Sequence, residues 1–126
     1  MIKVLSGGLV GLALTAVLLW ISWELPVNFY FPAEYLCIGL GSLTGGYIAG
    51  KHGWAAGILG EVIGLLAMTL PFLIGGIFFL GPYNALLALF HACATFIKPL
   101  LISLVVSALA GVVGGWWRIK RNNRLT

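Results

Sequence analysis

Four stretches of this chain stay apolar for about as long as a bilayer is thick. A helix rises 1.5 Å per residue, so roughly 20 apolar residues cross the hydrocarbon. Residues 4–23, 33–50, 54–80 and 99–117 meet or approach that length. In lipid no water can satisfy a bare N–H or C=O, so each run must pair its own backbone groups and become a helix.

Composition agrees with that reading. Apolar residues make up 61% of the 126 and charged residues 8%, with a mean hydropathy of +1.09. Soluble domains sit at about 45–50% and about 25%. A soluble globular domain, a disordered tail and a disulfide scaffold are excluded. The expected fold class is all-α: a polytopic transmembrane helical bundle of four spans, forming one integral membrane domain over residues 1–126. Lys3 and the apolar run after it resemble a signal peptide. No small-x-small cleavage site follows, so an uncleaved first span is expected.

The third run holds Pro71, which removes an amide and predicts a kink or tilt. After it, Gly81-Pro82-Tyr83-Asn84 is a turn signal. Residues 85–96 are apolar but too short to span alone. Segment 82–97 is therefore expected as an interfacial or re-entrant piece before the last span, with a fifth span as the alternative. The loop 25–32 carries Pro26, Asn28, Tyr30 and Pro32, and its aromatics suit a membrane–water interface.

Four spans sort the charges. Lys3, Lys51, Arg118, Lys120, Arg121 and Arg124 share one side; Lys98, Glu24 and Glu34 fall on the other. The positive-inside rule then puts both termini in the cytoplasm. Arg118, Lys120, Arg121 and Arg124 follow the Trp116-Trp117 pair and are expected as lipid anchors. Only seven Lys and Arg exist, and no aromatic-interleaved basic groove accompanies them. Nucleic acid is not an expected partner.

Glycine placement is the sharpest pattern. A helical glycine costs about 1 kcal/mol relative to alanine, so 18 of them call for a packing reason. Gly53, Gly57, Gly60, Gly64, Ala67, Pro71 and Gly75 recur in steps of three and four on one face of the third span. Gly39, Ser42, Gly46, Ala49 and Gly53 do so on the second. Ser103, Ser107, Ala110 and Gly114 follow on the fourth, and Gly8, Gly11 and Thr15 on the first. Lipid tails offer helices no hydrophobic drive to associate, so close backbone approach must hold them, and small residues permit it. Gly46, Gly50, Gly53, Gly57, Gly60, Gly64, Gly111 and Gly114 are the expected helix-packing residues, within one chain or between chains.

Residues able to carry chemistry are few. Glu61 is the one acid in the interior of an expected span, Glu34 lying at the very start of the second, and intramembrane carboxylates often mark ion or proton paths. The blander reading is a glutamate that snorkels to the headgroups or pairs with Lys51 or Arg118, and a polar contact between subunits is the third. His52 and His91 would lie on opposite sides of the bilayer, which excludes a shared haem or metal. Cys37 and Cys93 lie in apolar runs, where a buried thiol packs as a small hydrophobe. There is no metal-ligand spacing, no catalytic set and no phosphate-cradling loop. Neither a cofactor nor an enzymatic activity is expected.

From Leu43 the chain reads Leu43-Thr44-Gly45-Gly46-Tyr47-Ile48-Ala49-Gly50-Lys51-His52-Gly53-Trp54, then Ala55-Ala56-Gly57-Ile58-Leu59-Gly60. With the closing Ala110-Gly111-Val112-Val113-Gly114-Gly115, this resembles a family of small four-span, glycine-rich membrane proteins of Gram-positive bacteria. That family has no established activity. The resemblance implies a topology and a bacterial plasma membrane, and it carries over no site residues. The resulting expectation is a non-enzymatic membrane protein acting through helix assembly, as a homo-oligomer or a small subunit of a membrane complex. A small channel or transporter using Glu61 is the alternative.

Overall fold

The computed structural model describes residues 1–24 and 33–125, apart from the side chains of Trp23, Ala33 and Glu34. The expected interfacial loop 25–32 lies outside the described residues. Helix α1 runs Ile2–Glu24, α2 Ala33–Ala49, α3 Gly53–Leu80 and α4 Pro82–Leu125. A single 3-10 turn, Gly50–His52, joins α2 directly to α3.

The protein is all-helical with long apolar helices, in three continuous helical stretches and not the expected four separate spans; the middle stretch reverses direction at the Gly50–His52 turn. Among the described residues the three are Ile2–Ser22, Tyr35–Leu80 and Pro82–Leu125, each long and apolar enough to cross a membrane. Two local features differ from the expectation, and the first of them sets the count. The Lys51-His52 link stays helical, because Gly50 at φ +67° redirects the backbone within one turn and no loop is needed. Pro99, which reads as a helix start, lies inside α4 instead. A proline removes one amide, and the turns on either side can carry the helix past it. Segment 82–97 is thus the first part of α4 and not a separate interfacial or re-entrant element. Pro71 is likewise inside α3.

The second glycine with a special backbone is Gly81, at φ +85°, which alone separates α3 from α4. Its N–H bonds the carbonyl of Ile77 at 3.2 Å and closes α3. Pro82 then opens α4, where its missing amide is no loss. Asn84 Nδ2 donates to the freed carbonyl of Leu80 at 3.1 Å.

Glycine neighbours define the packing. Gly7 and Gly11 of α1 meet Gly45 and Gly41 of α2, so these helices are antiparallel. Gly8 meets Ala56 and Gly60, and Leu12 meets Gly64, so α1 runs parallel to α3. Gly111 of α4 is wedged between Gly46 of α2 and Gly53 of α3. Gly57 faces Ser107, and further along Gly76 faces Ala85, so α3 and α4 form a full-length antiparallel hairpin. Among the described residues the fully buried side chains are small: the buried apolar residues are Cys37, Ala49, Ala56 and Ala85, and Ser107 is fully enclosed.

The expected stripe on α3 stops early. Gly53, Gly57 and Gly60 are buried and Gly64 touches Leu12, but Ala67 and Pro71 are exposed. A methyl built on Gly75 meets nothing within 4 Å. These differences set up a paired test. Gly111→Ala drives a methyl into the Gly53 backbone and should cost about 1–3 kcal/mol. Gly75→Ala, in open space, should stabilise by up to about 1 kcal/mol. Thermal unfolding in mild detergent, followed by circular dichroism, measures both.

Candidate functional site

The most constrained part of the molecule is the junction of α2, the 3-10 turn, α3 and the last third of α4. It forms because an α-helix ends with carbonyls that have no partner in the helix. At the end of α2 those carbonyls belong to residues such as Tyr47 and Ile48, and no capping side chain follows in sequence. The partner comes from α4. Arg118 Nη1 donates to the Ile48 carbonyl and also reaches the Tyr47 carbonyl at 3.3 Å. A cation at a helix C-terminus is favoured by the backbone dipole as well.

Small residues let Arg118 get there. Gly114 sits against the backbone of Leu43 and Tyr47, and Gly115 against Gly50. Gly50 itself lies 3.6 Å from Arg118 Cδ, measured from where its Cβ would be. Gly46, Gly53 and Gly111 complete the junction on the α3 side. The expected packing residues Gly46, Gly50, Gly53, Gly111 and Gly114 therefore gather in one place. Gly57, Gly60 and Gly64 lie further along α3.

Of the expected lipid anchors, three make contacts within the chain. Arg118 is half-buried on the α2 carbonyls. Arg121 Nη1 donates to the Tyr47 hydroxyl at 3.0 Å. Lys120 Nζ lies over the Trp116 ring, 4.8 Å from its centroid. Arg124 is exposed in the last turn of α4.

Glu61 lies elsewhere. It is half-buried and lines a cavity of about 20 Å³ among α1, α2 and α3, with Gly8, Gly11, Thr15, Ser42 and Gly60 among its walls. No described residue forms an ion pair with it, so the pairings with Lys51 or Arg118 do not form; Arg118 is committed to α2. Thr15 Oγ1 instead donates to Gly11 at 2.9 Å and reaches the Cys37 carbonyl at 3.4 Å.

Both cysteines are free. Cys37 is buried as a small hydrophobe, whereas Cys93 is exposed on α4, which corrects its expected burial. His52 is exposed in the 3-10 turn and His91 is exposed on α4. Among the described residues no three His, Cys, Asp or Glu side chains converge as a metal site would require.

The packing glycines that sequence reasoning missed include Gly7, Gly41, Gly45 and Gly115. The signal for the first three is the small-x-x-x-small spacing of Gly7 with Gly11 and of Gly41 with Gly45, which lets two helix backbones touch.

No family model matches the chain, and no curated protein or solved structure matches it either.

Arg118→Ala strips a charged donor from two partly buried carbonyls. It should cost about 1–3 kcal/mol, with Arg118→Lys recovering part of the loss. Detergent-phase thermal unfolding of the two variants beside the parent checks this.

Proposed function

We propose that the chain is a non-enzymatic integral membrane protein that works through helix–helix assembly, as a homo-oligomer or as a small subunit of a larger membrane complex. Its proposed seat is a bacterial plasma membrane, with both termini cytoplasmic. The N-terminal part of α1, the 3-10 turn and the tail of α4 share one end of the bundle, and the basic residues there favour that orientation.

The observation that carries the assembly reading is the length of the α3–α4 hairpin. Helix α3 has 28 residues, about 42 Å of rise, and α4 has 44, about 66 Å. The hydrocarbon is about 30 Å thick. Lys98 lies well inside α4, twenty positions before Arg118. Placing the whole apolar hairpin in lipid leaves Lys98 in hydrocarbon, at a cost of a few kcal/mol unless it is paired. Placing Lys98 at the interface instead lifts the far part of the hairpin out of the membrane. That part carries Phe72, Phe79 and Phe90, which are 79%, 90% and 75% exposed. Either placement leaves a surface that suits another protein better than water or lipid.

The same region is polar in a helical pattern. His91, Thr95 and Lys98 recur at i, i+4 and i+7 on one face, and all three are exposed. Residues 90–99 are exposed on every side of the helix. A partner helix with acceptor groups at that level would satisfy the stripe and cover its apolar neighbours.

A channel or transporter built on Glu61 has less support. The cavity of about 20 Å³ beside it has room for about one water. Protein-loaded liposomes are expected to pass protons no faster than empty ones. A flux above that background which Glu61→Gln abolishes would reverse the order of the two readings.

The assembly reading is tested in native membranes with a photo-crosslinking amino acid at Phe90, Ala94 or Ile97. At least one of the three should give a band above the monomer, and the exposed Val17 on α1 should not. No adduct at any α4 position would defeat the reading.

A further inference from the structure

The basic end of the bundle carries two adjoining grooves that share Trp117 and Arg121. One groove, of about 470 Å³, runs between α2 and α4 past Leu43, Thr44 and Tyr47. The other, of about 290 Å³, runs along α4 and gathers Lys120, Arg121 and Arg124 beside Val113 and Trp116. A mostly apolar slot and a cationic cup thus have a common wall.

The cations in the cup are ordered by their neighbours. The Tyr47 hydroxyl accepts a hydrogen bond from Arg121 and holds the guanidinium at the shared wall. The Trp116 ring lies under Lys120. Arg118 is turned inward onto the α2 carbonyls and is occupied there. No described acid offsets this charge, since Glu24 ends α1 at the opposite end of the bundle and Glu61 lines the interior cavity.

We propose that the paired grooves form a binding site for one anionic glycerophospholipid. Its phosphate lies against Arg121, Lys120 and Arg124, and one acyl chain lies in the slot beside Leu43, Tyr47 and Trp117. Charge complementarity selects the anion, and a guanidinium offers phosphate a planar pair of donors. The apolar slot beside it selects a molecule with a tail. A second copy of this chain would present the same cations and be repelled. The proposal needs the chain to live in a membrane, but it stands apart from assembly through α4: loss of the α4 crosslinks leaves it untouched.

The test is native mass spectrometry of the full chain released from mild detergent, titrated with phosphatidylglycerol or phosphatidylcholine of matched chains. The parent should retain phosphatidylglycerol in preference. Arg121→Gln should weaken that retention about fivefold, the worth of one well-placed cation at an anionic surface. Tyr47→Phe keeps every charge and removes only the hydroxyl that holds Arg121, and it should weaken retention roughly threefold. Lys51→Gln removes a charge at the same end but outside the grooves, and it should change nothing. Equal retention of the two lipids, equal losses in Arg121→Gln and Lys51→Gln, or displacement of the lipid by inorganic phosphate would each overturn the proposal. If Arg121→Gln elutes as aggregate, the Lys120→Gln/Arg124→Gln double variant carries the same comparison.

Discussion

The structure depends on the missing side chain where α2, α3 and α4 cross. Gly46, Gly53 and Gly111 bring three backbones together there, and any Cβ would hold them apart. In water a bundle can rely on expelling solvent from large apolar residues. In lipid that force between helices is absent, and dispersion between closely fitted surfaces replaces it. The interior reflects this substitution. It is lined mostly by Gly, Ala and Ser, while many of the Phe, Leu and Ile side chains are exposed. Ser103 and Ser107 fit the same scheme, because each returns its hydroxyl to its own helix, on Leu100 and Leu104.

Away from that crossing, the packing loosens in a graded way. Helix α1 is added through Gly7, Gly8 and Gly11, each resting on a small residue or backbone of α2 or α3. The α3–α4 hairpin is also in close contact at Gly76 and Ala85. Around that contact, towards the hairpin tip, lies a cleft of about 620 Å³, walled by Pro71, Phe72, Leu89 and Ala92 among others. The basic end is therefore a tightly built platform. The other end is an apolar arm whose large side chains, among them Phe72, Phe79 and Phe90, are mostly exposed.

Much of the platform was legible from residue order, and the reasons are specific. The three-and-four rhythm of Gly53, Gly57 and Gly60 identifies a helix face, and those residues do face α4 or α1. The rhythm does not say where a face runs out of neighbours, so Ala67, Pro71 and Gly75 looked equivalent to the rest. Arg118 was harder still. Its place in a basic tail suggests lipid, because the tail's composition carries no record of which carbonyls, seventy residues earlier, lack a partner. The two helix boundaries were misjudged for one shared reason. Gly-Lys-His and Lys-Pro are loop or start signals in local terms, and tertiary packing carried helical backbone through both.

The bond between Arg118 and Ile48 joins residues 70 positions apart. At roughly 5–20 residues per second, translation needs about 4 to 14 s to cover that interval. Through those seconds α2 has already been made, yet the cation that will terminate it does not exist. Headgroups or water must tend its open end in the meantime. The platform can lock only once Arg118 has been made, so maturation is timed by the appearance of α4 and not by the first insertion.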